Sequence, residues 1–307
     1  METYDVLVIG AGPGGMTAAL YAARANLKVG MIDRGIYGGQ MNNTDDIENY
    51  PGFTSIKGPD LSEKMYQSTV KAGVNFICGD VQEVTVDSNQ WKHIKTDSEE
   101  LAAKSVIIAT GSTNKKLGVP GEEEFSGKGV SYCAVCDGAF FKGKQVTVIG
   151  GGDSAISEGL YLANVTNKVN VVHHRDTLRA QQVLQDRAFE NPKMNFTWNT
   201  TVEKIIGDEN HVTGIEVVDT KTNEKKVINT DGIFIYIGNL PNSQLFKRLN
   251  ITDSAGWILT NDDMETNIPG VFAIGDVRKK RLRQITTAVG DGVIAGQNAY
   301  EYVENFN

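Results

Sequence analysis

Apolar positions along this chain form short unbroken runs and helical-period stripes, and one succession of them occurs twice. Residues 6–33, VLVIGAGPGGMTAALYAARANLKVGMID, align without a gap onto residues 146–173, VTVIGGGDSAISEGLYLANVTNKVNVVH. Each copy opens with a β-branched run bounded by glycine. Each continues with a stripe in which Leu20, Tyr21 and Ala23 match Leu160, Tyr161 and Ala163, then enters a second apolar run through Lys28 or Lys168. The pattern predicts strand–helix–strand twice. Parallel strands joined by a crossover helix imply sheets covered on both faces, so the expected class is α/β with two Rossmann-like, three-layer dinucleotide-binding domains.

Between the copies, strand-like runs are expected at 81–86, 91–96 and 106–109. After the second copy a similar meander is expected at 202–206, 212–218 and 232–237, before the turn at 239–241. The closing segment, VFAIGD at 271–276 and a helix over about 285–302, has no counterpart in a third unit, so the simplest packing returns it to the first domain. The second domain is thus expected as an insertion, residues 113–244, within a discontinuous first domain of residues 1–112 and 245–307. Two such crossings would act as a hinge.

A chain of 307 residues is long enough for two domains of ordinary size. Hydrophobic residues at 40% exclude general disorder, and 30 Lys+Arg against 38 Asp+Glu give a net charge of -8, which disfavours nucleic acid as a partner. No apolar stretch is long enough to span a membrane and the N-terminus lacks a cationic leader, so a cytoplasmic protein is expected.

GAGPGG places Gly10, Gly12 and Gly15 at the GxGxxG positions between a strand and a helix, with Asp33 at the end of the second strand. That is the arrangement for a pyrophosphate at a helix N-terminus and a ribose hydroxyl on an acid. GGGDSA repeats it with Gly150, Gly152, Ser154 and Ala155, but the equivalent of Asp33 is His173, within HHRDTLR. His174, Arg175 and Arg179, the two arginines one turn apart, form a cationic pocket fitted to a 2′-phosphate. The first site is therefore expected to take an unphosphorylated adenosine ribose and the second NADPH. Two dinucleotide sites suggest a relay from nicotinamide to flavin, with Asp276 of VFAIGD holding a ribityl hydroxyl.

Cys133 and Cys136 stand one turn apart in SYCAVCDG if a helix begins there, a spacing that allows a disulfide and lowers a thiolate pKa. Asp137 follows as a proton carrier. Cys78 and the four histidines offer no partner pair for zinc, so no metal is expected.

These residues, with GGQ at 38–40, ENYPG at 48–52, ATG at 109–111, HHRxxxR, GD at 275–276 and RQI at 283–285, closely resemble low-molecular-weight, bacterial-type thioredoxin reductases over essentially the whole chain. The resemblance implies FAD against Gly12, Pro13, Asp33, Gln40, Asn49, Val81, Thr110, Gly111, Asp276, Arg283, Gln284 and Ile285. It makes Cys136 the sulfur beside the flavin, Cys133 the sulfur that exchanges with thioredoxin, and Asp137 the acid. It also implies a homodimer with one FAD per subunit. Because a flavin face occupied by the redox pair cannot also hold a nicotinamide, and both belong to the second domain, that domain is expected to swing on the hinge between turnovers. Two departures stand out: His174 replaces the second basic residue of HRRxxxR, and the aromatic pair after CxxCDG reads Ala139, Phe140, Phe141.

The function so implied is an NADPH-dependent thioredoxin-disulfide reductase. Competing readings are an NAD(P)H or dithiol oxidase passing electrons to O2, and a nucleotide-binding redox sensor without turnover. Elsewhere, RKKRLR at 278–283 is read as a solvated face apart from Arg283, GEEE at 121–124 as a surface turn, Cys78 as a small buried apolar group, and the three tryptophans as packing residues.

Overall fold

The computed structural model describes residues 1–44 and 47–306. Its contacts divide the chain into two units, Met1–Thr113 with Leu240–Asn307, and Asn114–Asn239.

The first unit begins β1 (Glu2–Ile9), α1 (Pro13–Arg24), β2 (Val29–Asp33), α2 (Gly58–Lys71) and β3 (Asn75–Cys78). It continues through β4 (Val81–Val86), β5 (Lys92–Thr96), β6 (Glu100–Ile108) and β7 (Ser112–Asn114). The inserted unit runs β8 (Val130–Ser131), α3 (Ala134–Asp137), β9 (Gln145–Ile149), α4 (Asp153–Val165), β10 (Lys168–Val172), α5 (Gln182–Phe189) and β11 (Met194–Thr197). Four strands complete it: β12 (Thr200–Gly207), β13 (Val212–Asp219), β14 (Lys225–Asn229) and β15 (Gly232–Ile235). The chain returns through β16 (Asn239–Pro241), which pairs with β7, to β17 (Val271–Ala273) and α6 (Ile285–Glu304).

In the first unit the strand order is β3-β2-β1-β6-β5-β4, with β17 also on β6. β1 pairs parallel with β2 and β6, whereas β4 and β5 form the antiparallel side. One face carries Val6, Val8, Met31 and Phe272 against Met16, Ala19 and Leu61 of α1 and α2 and Ala295 and Ala299 of α6. Small residues let α1 and α6 approach closely: a Cβ on Gly292 would fall 2.5 Å from the Gly14 carbonyl oxygen. The other face carries Leu7, Ile9, Ile94 and Val106 against Phe246, Ile251 and Ile258.

In the inserted unit the order β11-β10-β9-β15-β8 is parallel at every pairing. Val146, Val148 and Val171 bury against Ala155, Ile156 and Leu162 of α4. Ile149, Val172 and Ile233 bury against Ile205, Ile215 and Val217 of the antiparallel sheet β12-β13-β14. Alternation along one strand thus feeds two cores, and each unit is layered on both faces.

Several expectations need correction. The run at 232–237 reads as part of the meander, yet β15 pairs parallel with β9 and belongs to the central sheet. β14 escaped notice because Lys225–Asn229 is exposed along nearly its whole length and lacks an apolar alternation. Residues 240–244 go with the outer unit rather than the inserted one. Asn242 accounts for this: its N–H donates to Gly111 O (3.0 Å), its amide to Thr110 O (2.9 Å), and its carbonyl accepts from Thr110 Oγ1 (2.7 Å). Glu122 of GEEE is 2% exposed, not a surface turn residue; it accepts from the Leu117 and Gly118 amides and from Tyr132 Oη. Cys78 is exposed at the end of β3 rather than buried.

Candidate functional site

Both glycine-rich loops use the backbone in the same way. Gly10 follows β1 at φ 109°, and a Cβ there would strike Ala109 O at 2.4 Å; Gly150 follows β9 at φ 144°, and a Cβ would strike Tyr236 O at 2.4 Å. At Gly15 a Cβ would fall 1.9 Å from Gly10 O, so the first turn closes on itself, whereas the second accepts Ala155. Gly12 and Gly152 stand at the N-caps of α1 and α4, with no side chain capping either helix, and a Cβ on either would meet nothing within 4 Å. Pro13 takes the first helical turn, where its missing N–H costs nothing. Open space in front of uncapped amides fits a pyrophosphate at each helix.

Around the first loop, Asp33 Oδ2 accepts from Ala11 N (2.8 Å) and Oδ1 from Gly35 N (3.1 Å), which fixes the carboxylate at the end of β2. Gly38 N donates to Ala11 O (2.8 Å), drawing the GGQ turn to the loop, and Gln40 reaches Ser112 O (3.5 Å). Gly79 N donates to Asp33 O (3.0 Å), bringing the segment that opens β4 at Val81 beside Asp33. Asn49 Nδ2 donates to Gln284 Oε1 (3.2 Å). Gln284 is the N-cap of α6, in a capping box with Thr287, and Ile285 begins the helix. Thr110 and Gly111 are held by Asn242.

Asp276 lies in the short turn Gly275–Val277 after β17. Its Oδ1 is buried with no hydrogen-bond partner, and burial pushes its carboxyl above the usual range despite Lys280 and Arg283. Such an orphaned acceptor fits a hydroxyl-bearing ligand. Arg283 donates to Asp276 O (3.4 Å) and stacks on Trp257, its guanidinium 3.9 Å from the ring centre, so Trp257 supports the site. RKKRLR is a solvated face only at Lys279, Arg281 and Leu282: Arg278 and Lys280 pair with the buried Asp291 of α6 at 3.1 and 2.7 Å, and Asp291 also accepts from Gly275 N (2.9 Å). Sequence reasoning missed Asp291. Its signal was a lone acid between glycines in an apolar helix, following a basic run.

In the inserted unit, His173 is 2% exposed, its ring against Gly151, where an added Cβ would come within 2.4 Å. Both ring nitrogens lack partners, and burial lowers the pKa, so a neutral ring fills the position of Asp33. His174, Arg175 and Arg179 are exposed. The arginines are not one helical turn apart, since the segment bends without forming a helix. Instead Arg179 N donates to Gly151 O (2.7 Å), which ties that residue's backbone to the glycine loop, and Arg175 Nε donates to His174 Nε2 (3.2 Å). Burial, Arg175 and Arg179 lower the His174 pKa. Ser154 is exposed in the first turn of α4.

Cys133 and Cys136 form a disulfide, Cα to Cα 5.3 Å. Cys133 is the N-cap of α3, and its sulfur accepts from Cys136 N (3.2 Å). α3 is a single turn, so individual amides rather than a long helix dipole act on the sulfurs. Ser131 Oγ accepts from Cys133 N (3.1 Å) and donates to Asp137 Oδ2 (2.5 Å), which fixes the acid. Of the aromatic residues beyond, Phe141 is buried against Phe234 at 5.4 Å between ring centres, and Phe140 is 48% exposed. Among the described residues no cluster of three or more His, Cys, Asp or Glu could hold a metal, and no helix is long and apolar enough to cross a membrane.

Residues 4–292 match the model of the pyridine nucleotide-disulphide oxidoreductase family. The chain is 57% identical to a thioredoxin reductase of Bacillus subtilis over 99% of its own length and 96% of that protein. It is 56% identical to one of Listeria monocytogenes over 99% and 95%. The crystal structure of thioredoxin reductase from Streptococcus pyogenes superimposes with a TM-score of 0.94 at 54% identity, covering 98% of both chains.

Proposed function

The chain belongs to the pyridine nucleotide-disulphide oxidoreductase family, and from that premise we propose that it is a thioredoxin-disulfide reductase using NADPH and FAD. The observation that carries this is the Cys133–Cys136 bridge in the same unit as a glycine loop whose strand ends in His173 and a basic segment instead of an acid. When bound, the flavin supplies the two-electron relay between a nicotinamide and a disulfide.

In this reading the outer unit is the FAD-binding domain. The Gly10, Gly12 and Gly15 loop with Pro13 takes the pyrophosphate, Asp33 the adenosine ribose, and Asp276 a ribityl hydroxyl. Gln40, Asn49, Val81, Thr110, Gly111, Arg283, Gln284 and Ile285 complete the cradle. The inserted unit is the NADPH-binding domain: Gly150, Gly152 and Ser154 receive the pyrophosphate, and His174, Arg175 and Arg179 the 2′-phosphate.

Once the bridge is opened by two electrons, the Cys133 thiolate attacks the disulfide of thioredoxin. The Cys133 mixed disulfide forms as one thioredoxin sulfur leaves. Cys136 then attacks Cys133 Sγ, restoring the bridge and releasing the second sulfur. Asp137, held by Ser131, delivers the proton to the leaving thiolate. Phe140 offers thioredoxin an apolar contact. A homodimer in the cytoplasm and alternation of the inserted unit between its two partners belong to the same proposal; a cross-link joining the units that leaves turnover intact excludes the alternation.

Anaerobic titration with NADPH tests the whole. The wild type should take up about four electrons per subunit, two for flavin and two for the bridge, and Cys136→Ser about two. Cys136→Ser should also lose thioredoxin reduction by at least ~10³-fold. A wild type that saturates at two electrons overturns the proposal.

A further inference from the structure

The turn that carries the redox pair is too short to hold itself. α3 has four residues, and fixing one helical turn costs more conformational entropy than its few hydrogen bonds return. Four amides from Cys133 to Asp137 have defined acceptors. Cys133 N–H goes to Ser131 Oγ (3.1 Å), Cys136 N–H to Cys133 Sγ (3.2 Å), Asp137 N–H to Cys133 O (3.0 Å) and Ala134 N–H to Tyr236 Oη (2.6 Å). The first three acceptors lie within six residues of α3 in the chain; the last is over a hundred residues away and anchored in the central sheet.

Tyr236 follows β15. Its N–H donates to Ile149 O (2.8 Å) and its carbonyl backs Gly150, so its backbone is part of the second glycine loop. Its hydroxyl interacts with the carboxyl of Glu158, a half-buried residue of α4. Burial, with Glu158 and Asp137 nearby, raises the tyrosine pKa well above its ordinary value, and burial raises that of Glu158. Tyr236 therefore stays neutral, accepting from Ala134 and donating to Glu158.

We infer that Tyr236, supported by Glu158, is a positioning residue that keeps the Cys133–Cys136 turn in register when the bridge is open. This rests on the reading that the pair is the working disulfide. While the S–S bond exists, it clamps the two Cα atoms at 5.3 Å and the tyrosine is redundant. When an external dithiol reduces it, the S–S bond breaks, both sulfurs gain an electron and a proton, and the dithiol closes its own disulfide. The covalent clamp is then gone and the turn relies on its hydrogen bonds, of which the Ala134–Tyr236 bond ties it to the central sheet. Its loss costs the dithiol state more than the disulfide state.

The test is Tyr236→Phe in the FAD-loaded protein, equilibrated anaerobically with dithiothreitol buffers of graded ratio, the Cys133 and Cys136 thiols then being counted by alkylation and mass. The variant should shift the equilibrium roughly fivefold toward the disulfide, about 20 mV for a two-electron couple. Its melting temperature should fall more in the reduced than in the oxidised protein. Glu158→Ala should shift the equilibrium the same way by less, and it serves if Tyr236→Phe does not fold; Glu158→Gln, which still accepts from Tyr236, should restore the wild-type value. An unchanged equilibrium, or equal loss of melting temperature in both redox states, overturns the inference. If instead the wild-type pair releases no thiols at any ratio, it is the underlying redox assignment that fails.

Discussion

The two glycine loops are the same backbone device with different ends. Gly10 and Gly150 both turn at positive φ against a carbonyl 2.4 Å from their absent Cβ, and Gly12 and Gly152 both leave open space before an uncapped helix. What differs is the end of the next strand: Asp33 pinned by two amides in one unit, a buried neutral His173 followed by exposed Arg175 and Arg179 in the other. On the proposed reading, the shared part makes a dinucleotide site and the differing part chooses which dinucleotide. A pinned carboxylate accepts from a ribose hydroxyl and repels a phosphate; a strand end without a carboxylate and with two guanidinium groups does the opposite.

That contrast breaks most readily at the arginines. A charged hydrogen bond is worth about 1.5–3 kcal/mol, so Arg175→Ala or Arg179→Ala should lower kcat/KM for NADPH about 10- to 100-fold while leaving that for NADH nearly unchanged. Steady-state kinetics with both nucleotides decides it. Equal efficiency of NADPH and NADH in the wild type would remove the distinction between the two strand ends.

How far this could be read from the chain follows from the same comparison. The loops, the crossover helices and the CxxC turn were legible because each is encoded locally, by glycine positions and apolar period within about thirty residues. Partnerships between distant segments were not. Asp291 satisfies Arg278 and Lys280, Asn242 binds Thr110 and Gly111, and Glu122 meets Tyr132, and no periodicity announces such pairs. For that reason RKKRLR and GEEE read as solvent-facing charge although Arg278, Lys280 and Arg283 of the first are partly buried and Glu122 of the second is buried. Cys78 was misjudged for the opposite reason: its neighbours Phe76 and Ile77 are apolar, but β3 is an edge strand and its last residue reaches solvent.

Asp276 sharpens the contrast from the flavin side, because in the first unit the unsatisfied acceptor lies far along the chain from the loop. Burial holds its carboxyl above the ordinary range, so the flavin-free folded state takes up the proton more readily than the unfolded chain. The charge is then a cost that appears as pH rises from about 3.9 through the folded value and is absent below it. Asp276→Asn should raise the melting temperature of the flavin-stripped protein by about 2–4 °C at pH 8, with the gain fading as pH falls toward 4. The same variant should weaken FAD retention about tenfold, the loss of one charged acceptor. A flavin-free variant no more stable than the wild type at pH 8 would mean that Asp276 carries no unmet demand for a ligand.

The smallest expected effect belongs to His174, which is exposed and therefore screened. Burial and the neighbouring Arg175 and Arg179 lower its pKa from 6.5, so at pH 7.5 the imidazole is neutral and accepts from Arg175 Nε at 3.2 Å. As pH falls through its lowered pKa the ring gains a proton, the Arg175 contact becomes repulsive, and a third cation would face the proposed 2′-phosphate. The ratio of kcat/KM for NADPH over NADH should then rise roughly two- to fivefold between pH 7.5 and 5.5, the range for an exposed charge contact. His174→Arg should supply that cation at every pH, raising the ratio at pH 7.5 by a similar factor and flattening its pH dependence. A ratio independent of pH in the wild type, together with no gain in His174→Arg, would show that Arg175 and Arg179 read the phosphate without help from the histidine.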